Sequence, residues 1–403
     1  MRKLKLTSPE FKADPHRTLA EALELGSFAE IKIPLFGPVQ TALKFEAAQS
    51  ILKRADLFAL DARNAGHNRA FGLPFIPKSL RLLSENILSL DDPDHRRLRR
   101  CADAPFRRAA IEANRERVGA MVDHYLDQIA ARSESEIDLA ETVFGPLPLQ
   151  VISDLLGLTD GARDRLMNTI AGFSEAASTF GILRALMGLG GLIKQLREEI
   201  DRARRDPKPG LLSALIHAEA ADDGQMSEDE LVSLVLVLFV AGHDTTTNLL
   251  SSGLYTLKTE PGAWEMAKTL DQDGWRIAVD ELMRYALPVH MTKPRFVIED
   301  TELSGVHFKR GDKVVALIGA SNLDPDEFDQ PLKLDLARRP NRHLGWGGGA
   351  HICLGLHLAK METELALSKI VERWPDLTLG RDLKWSKRIG ARGLSAMPVR
   401  LAP

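Results

Sequence analysis

The chain has 403 residues, with 53 Lys plus Arg against 56 Asp plus Glu and a net charge of −3. Hydrophobic residues at 44% and charged residues at 27% are ordinary for a globular protein, and such a length can bury a large core around a cofactor. The balanced charge offers no basic surface for nucleic acid, and the longest apolar run, Leu234 to Ala241, falls far short of the roughly 20 residues of a membrane span.

Met1 to Leu25 is polar and charged and lacks the apolar core of a signal peptide, so a cytoplasmic protein without a membrane anchor is expected. The two cysteines, Cys101 and Cys353, are too few and too far apart for a disulfide framework and suit a reducing compartment. No internal repeat or low-complexity linker divides the chain. A single domain over residues 1–403 is expected, mainly α with small β-sheets: an α-rich lobe and a smaller β-rich lobe. Ala29 to Ile33 alternates like a strand and opens the β-rich lobe, which is expected at about residues 28–60 and 290–320 plus C-terminal strands.

Most of Asp91 to Lys258 carries apolar residues at three- and four-residue spacing, as helices do. Asp94-His95-Arg96-Arg97-Leu98-Arg99-Arg100 opens an early helix, and the spacing of four puts His95 and Arg99 on one face. By itself this run reads as a solvated basic helix. Phe173 to Leu192 sets Phe173, Phe180, Leu183, Leu186 and Met187 among Gly181, Gly188, Gly190 and Gly191. It reads as a mobile apolar lid or as two core helices around a Gly-rich turn.

Ser227-Glu228-Asp229-Glu230 is a capping box, in which Ser227 accepts from a backbone N–H and Glu230 reaches back. The helix it starts should run to about Lys258, before Glu260-Pro261-Gly262 stops it. Its first half is apolar on every side, which marks a helix through a core. Its middle, Ala241-Gly242-His243-Asp244-Thr245-Thr246-Thr247, breaks that pattern. Gly there costs about 1 kcal/mol relative to Ala, and Asp and Thr offer competing hydrogen bonds that bend or open a helix. A functional groove and a polar patch at a kink fit equally well.

Further along, Glu281-Leu282-Met283-Arg284 places Glu281 and Arg284 on one helix face. An exposed pair of this kind would contribute only about 0–1 kcal/mol. Leu303-Ser304-Gly305-Val306 reads as a hairpin tip, Lys313 to Ile318 as a strand, and Ala396 to Leu401 as a closing strand.

Trp346-Gly347-Gly348-Gly349-Ala350-His351-Ile352-Cys353-Leu354-Gly355 is the most informative stretch. Consecutive glycines permit a tight path and close approach of backbone to a flat ligand. A helical pattern from about Leu354 to Arg373 follows, so Cys353 should sit at a helix N-terminus, which favours a thiolate. Three roles fit: a buried structural thiol, a zinc ligand with His343, His351 and His357, or an axial haem ligand. Zinc is the weakest, because structural sites usually supply at least two thiolates at short spacing.

This segment resembles the haem-binding loop of the cytochrome P-450 family, whose pattern runs aromatic, Gly, basic, Cys, Gly. Trp346, Gly349, His351, Cys353 and Gly355 fill it in order, with Trp where Phe is commoner and His where Arg is commoner. The resemblance implies haem b with an axial thiolate from Cys353, lined by Trp346, Gly347, Gly355 and Ala241. It implies propionates held by His95, Arg99, Arg295 and His351. Glu281 and Arg284 match the family's Glu-x-x-Arg motif, buried and completed by Arg338 as a structural triad. Ala241 to Thr245 resembles the oxygen-binding groove: Gly242 would let the helix bulge, Thr245 would hydrogen-bond beside bound oxygen, and Asp244 would relay protons. His243 should face outward, without a role.

The implied activity is monooxygenation, the insertion of one oxygen atom from O₂ into a small hydrophobic substrate by hydroxylation or epoxidation. A terpenoid, a fatty acid or an aromatic compound would serve. The chain ends soon after the cysteine loop, so electrons are expected from a separate ferredoxin and ferredoxin reductase, docked at Arg96, Arg97, Arg100, Arg107 and Arg108. A monomer is expected. The alternatives are a peroxide-driven oxygenase, disfavoured by the Asp244-Thr245 pair, and a non-catalytic haem-based sensor or hydrophobic-ligand carrier. By family position the pocket draws on Arg63 to Leu88, Phe173 to Leu192, Leu238 to Thr245, Pro288 to Thr292 and Arg392 to Leu394. Its expected lining includes Leu238, Val289, Met291 and Leu394, with Asn248, His290 and Thr292 as polar anchors.

Overall fold

The computed structural model of the protein describes residues 8–33, 37–67, 85–158, 179–208, 210–220 and 226–401, with Leu6, Leu82, Gly161, Arg163 and Asp164. They gather into two units: residues 1–70, 122–144 and 245–403 form the first, and 71–121 and 145–244 the second.

All strands among the described residues belong to the first unit. They are β1 (Phe28–Ile33), β2 (Gly37–Ala42), β3 (Phe58–Ala59), β4 (Ile137–Asp138), β5 (Arg295–Val297), β6 (Thr301–Leu303), β7 (Val306–Phe308), β8 (Lys313–Ala316), β9 (Thr378–Leu379), β10 (Lys384–Trp385), β11 (Leu394–Ala396) and β12 (Pro398–Arg400). The main sheet runs β1-β2-β8-β5-β3. β1 and β2 pair antiparallel from Phe28 opposite Ala42 to Ile33 opposite Gly37, while β2 and β8 run parallel. Strand alternation then feeds two cores. Val314 joins Phe28, Phe58, Val297 and Phe308 against Ala47, Ile51 and Leu52 of the helix Phe45–Lys53. Its neighbour Val315 joins Ile31, Val39 and Leu43 against Leu19, Ala22 and Leu23 of the helix Pro15–Leu23.

The hairpin tip lies where the sequence puts it. Leu303 faces Val306, and Ser304 and Gly305 both take positive φ, 51° and 77°, as a two-residue turn with the strands' own twist requires. Three other features differ from expectation. β4 falls within the mostly helical stretch from Asp91 to Lys258 as a strand the sequence did not indicate, because Ile137 pairs with Val399 across a long sequence gap. The run Lys313 to Ile318 leaves the sheet after Ala316 and turns into a short helix, Ile318–Ser321. The closing strand is two short strands, β11 and β12. Met397 between them donates to Asp138 Oδ1 at 2.8 Å and accepts from Leu139 N–H at 3.0 Å.

The second unit is helical among its described residues, with Asp94–Phe106, Arg108–Glu112, Pro146–Leu156 and Leu211–Ala220 entirely within it. The helix Glu228–Thr259 begins there. Its capping box is formed: Ser227 N–H donates to Glu230 Oε2 at 2.7 Å, and Glu230 N–H donates to Ser227 Oγ at 3.3 Å. By length and composition this helix could cross a membrane, yet every residue from Leu231 to Phe239 is buried within the fold. Burial of that all-round apolar half is what the sequence requires of it.

Candidate functional site

The cysteine loop hangs from two neighbours in the first unit, Asn322 and Asp280, and is closed by a bond of its own. Leu344 N–H donates to Asn322 Oδ1 at 2.8 Å, Trp346 Nε1 donates to Asp280 Oδ1 at 3.1 Å, and Cys353 N–H donates to the Trp346 carbonyl at 2.9 Å. The glycines are needed individually. Gly347 and Gly349 have φ of 76° and 63°, the left-handed region. A Cβ on Gly349 would fall 2.5 Å from the Leu52 carbonyl oxygen, and one on Gly345 would fall 2.4 Å from Met283 Cγ. The following helix is Leu356–Arg373 with Gly355 as its cap, so Cys353 lies just ahead of the helix rather than at its first residue. Its thiol is exposed.

The structural-thiol reading would bury this sulfur, and the chain exposes it. The zinc reading also fails. Among the described residues no three His, Cys, Asp or Glu side chains come together around a metal position. His343 is already engaged: its Nδ1 accepts from Gly345 N–H at 3.1 Å, and its Nε2 lies 3.6 Å from Asp280 Oδ1. A single exposed thiol on a backbone stripped of side chains suits a metal that brings its other ligands in a flat ring.

Glu281, Arg284 and Arg338 are brought together. Arg284 donates to both Glu281 oxygens at 2.8 Å, and both side chains are fully buried. Arg338 Nε adds a bond at 3.2 Å, Asn341 Nδ2 one at 3.0 Å, and the Asp335 N–H one at 3.0 Å. Arg284 also donates to the carbonyls of Asn322 at 2.9 Å and Pro331 at 2.8 Å. The triad therefore holds down the segment leading into the cysteine loop, including Asn322, which carries Leu344.

The central helix is buried on both sides of its polar middle, where His243 and Thr246 are buried and the other residues are not. Val240 is 41% exposed and Thr245 is exposed, with Ala241, Gly242 and Asp244 partly so. Ala241 and Thr245, four apart, share a face. A Cβ on Gly242 would meet no atom within 4 Å. The backbone nevertheless stays α-helical throughout, so the expected bulge at Gly242 does not form. Thr247 is spent on structure: its hydroxyl donates to the Phe144 carbonyl at 2.8 Å. His243 does not face outward as expected. It is buried, with Nδ1 3.2 Å from Asp244 Oδ1.

Of the expected propionate ligands, Arg295 is buried at the start of β5 and His351 ends the short turn Gly349–His351. His95 and Arg99 belong to the second unit. His95 is buried with Nδ1 3.7 Å from Asp92 Oδ1, and burial lowers its pKa against the pull of Asp92. Three of the five arginines expected to dock a donor are ion-paired locally: Arg96 to Asp92, Arg97 to Glu230 and Asp94, and Arg107 to Asp103. Arg100 and Arg108 are exposed.

Two expected pocket anchors are corrected. His290 is fully buried, wedged between Phe11, whose ring centroid is 5.3 Å away, and Gly319, where a Cβ would stand 2.9 Å from its own Cβ. Thr292 Oγ1 accepts from Ala316 N–H at 3.0 Å, which ties it to the sheet. Asn248 and Leu394 meet at one segment. Asn248 Oδ1 would stand 2.1 Å from a Cβ on Gly393, and Leu394 N–H donates to Ser251 Oγ at 3.1 Å. Val289 bridges to Ala391, Met291 packs on Gly390, and Leu238 belongs to the second unit. The expected lid side chains Phe173, Phe180, Leu183, Leu186 and Met187, and most of Arg63 to Leu88, lie outside the described residues and side chains.

The sequence reading missed two buried cations. Lys12 Nζ donates to the carbonyls of Arg388, at 2.8 Å, and Ala391. Arg392 donates to the carbonyls of Lys12 and Ala286, each at 2.7 Å, and stacks 4.4 Å over Trp385. Burial and the neighbouring Arg392 bring Lys12 down to about 8, and burial brings Arg392 down to about 10. Both cations are staples for the 386–394 segment.

Known proteins are similar to this chain in sequence and fold. The cytochrome P450 family model matches residues 184–269 and 276–380. The polyketide biosynthesis cytochrome P450 PksS of Bacillus subtilis is 32% identical, covering 98% of this chain and 97% of its own. Its solved structure superposes with a TM-score of 0.88 at 30% identity, over 99% of this chain and 100% of that one. The mycinamicin IV hydroxylase/epoxidase of Micromonospora griseorubida is 34% identical over 79% of this chain and 80% of its own. A solved P450BioI, in complex with hexadec-9Z-enoic acid ligated acyl carrier protein, is similar with a TM-score of 0.88 at 26% identity, over 98% of this chain and 100% of that one. A relative 32% identical over 98% of this chain and 97% of its own means that the chain belongs to the cytochrome P450 family, and with the monooxygenases among its relatives it is an oxidoreductase of that kind.

Proposed function

We propose that the protein is a haem-thiolate monooxygenase that uses Cys353 to hold haem b and inserts one oxygen atom of O₂ into a hydrophobic substrate. The observation that carries this reading is the exposed Cys353 on a loop where Gly349 leaves no room for a side chain. Haem held by a thiolate supplies reductive activation of O₂, with electron density pushed toward iron to favour O–O cleavage. His351 and Arg295 of the first unit supply a donor and a cation for the propionates. Thr245 Oγ1, on the exposed stretch of the central helix, donates a hydrogen bond where oxygen reacts. The Asp244 carboxylate passes protons to that point from solvent, with His243 Nδ1 3.2 Å from its Oδ1. Electrons come from a ferredoxin and its reductase, with the exposed Arg100 and Arg108 facing an acidic donor. We place the protein in the cytoplasm as a monomer of one domain.

A relative named for polyketide biosynthesis and a neighbour solved with an acyl chain favour a polyketide or fatty-acyl substrate. The test is turnover with a surrogate ferredoxin, its reductase and long-chain fatty acids. The wild type should form hydroxylated product. Thr245→Ala should keep consuming reductant while product per electron pair falls on the order of tenfold or more, as loss of a proton-delivering group allows. Equal coupling in the variant, or equal turnover with hydrogen peroxide alone, would point instead to a peroxide-driven enzyme. Ligand-induced spectral change with no product from any substrate would point to a carrier.

A further inference from the structure

Trp346 stands where the family pattern more often has Phe, and an indole adds one N–H that must find a partner when it is buried. Its partner is Asp280, one residue before Glu281 on the helix Gln272–Tyr285. The same carboxylate receives Lys360 Nζ from the helix that follows the cysteine, through its other oxygen. His343 Nε2 lies 3.6 Å from Oδ1, and because Nδ1 of that ring accepts the Gly345 N–H, the ring proton sits on the side facing Asp280. One carboxylate thus joins the segment before Cys353 to the helix after it.

The link continues to the cysteine itself. The carbonyl of Trp346 accepts the Cys353 N–H at 2.9 Å. The backbone beside the indole is tightly packed, since Met283 Cγ stands 2.4 Å from where a Cβ on the adjacent Gly345 would be. We propose that Asp280 is a positioning residue for the thiolate: by holding the indole of Trp346 it keeps the Trp346 carbonyl on the Cys353 N–H and so fixes the orientation of the sulfur. This role rests on the haem-thiolate reading above. Asp280 acts through Trp346, the residue its Oδ1 holds. Burial alone would push its carboxyl up, but His343 and Lys360 outweigh that and hold it at about 2, so the acceptor is an anion at neutral pH.

The test uses the haem-loaded protein and reads two quantities apart from activity: the reduction potential, and the share of the ferrous carbon monoxide complex in the thiol rather than the thiolate form. Asp280→Leu removes the acceptor, and its thiol share should rise roughly tenfold, the population change that losing one hydrogen bond to a charged group allows. Asp280→Asn keeps an oxygen for the indole and should restore most of the wild-type behaviour. Trp346→Phe, which removes the donor, should shift both readouts in the same direction as Asp280→Leu. Adding Asp280→Leu to Trp346→Phe should then change little more, since the two act through one bond. If Asp280→Leu does not fold, Trp346→Phe and Asp280→Asn still decide. Unchanged spectra and potential in Trp346→Phe, or an Asp280→Leu effect as large in the Trp346→Phe background as in the wild type, would overturn the proposal. A wild-type protein with no thiolate spectrum would instead sink the haem-thiolate reading, and this proposal with it.

Discussion

Arg284→Ala should destabilise the protein by about 3–5 kcal/mol, the range for removing one partner of a buried ion pair. The reason is the number of groups stranded. Glu281 would keep its buried charge but lose the two bonds of 2.8 Å from Arg284. The carbonyls of Asn322, Pro331 and Lys333 would lose donors at the same time. Arg17 supplies the contrast: it pairs with Glu21 four residues away on one helix at 3.1 Å, with side chains 83% and 51% exposed. Arg17→Ala should cost no more than about 0.5 kcal/mol, as exposed helix pairs do. Chemical unfolding followed by tryptophan fluorescence, with haem content measured after purification, separates the two. A variant at Arg284 as stable and as haem-rich as Arg17→Ala would mean that the triad does not brace the loop.

Gly349→Ala should be nearly as damaging, although it adds one methyl group. Forcing a Cβ into the left-handed region costs about 1–2 kcal/mol. The new carbon would also fall 2.5 Å from the Leu52 carbonyl oxygen and 3.2 Å from Lys53 Cα, both backbone atoms that cannot swing aside. Overpacking of that kind adds about 1–3 kcal/mol. The strain sits four residues from Cys353, so we expect low haem occupancy even where the rest of the chain folds. Gly119→Ala is the control. It lies in the helix Arg115–Ala130, and a Cβ there meets nothing within 4 Å. It should be neutral or stabilising by up to about 1 kcal/mol. Haem content and unfolding midpoint check both, and normal haem loading in Gly349→Ala would contradict the account.

What the sequence revealed was local. The capping box at Ser227, the two-residue turn at Ser304-Gly305 and the glycines before Cys353 each follow from constraints within a few residues, and each can be read without knowing what packs nearby. Glu281 and Arg284 were legible as a pair, but their burial was not, because the donors and carbonyls around them come from 38 to 60 residues away. Asp280 gave no signal at all: one more acid on a charged helix looks solvated until Trp346, His343 and Lys360 converge on it. Lys12 failed for the same reason, since the carbonyl that holds its ammonium group is 376 residues distant. His290 misled in the opposite sense. A histidine at a pocket position suggests an anchor, but Gly319 lets a neighbouring backbone press against it and leaves its ring enclosed. β4 was hidden because a two-residue strand carries no periodicity, only a distant partner.

The central claim is that Cys353 is the axial thiolate, and the reduced, carbon-monoxide-bound absorption spectrum of the wild type beside Cys353→Ala tests it most directly. We predict a strongly red-shifted Soret band in the wild type that is lost in the variant, since no other cysteine but Cys101 exists in the chain to replace it. A wild-type spectrum without that band, or one that survives the substitution, would contradict the assignment.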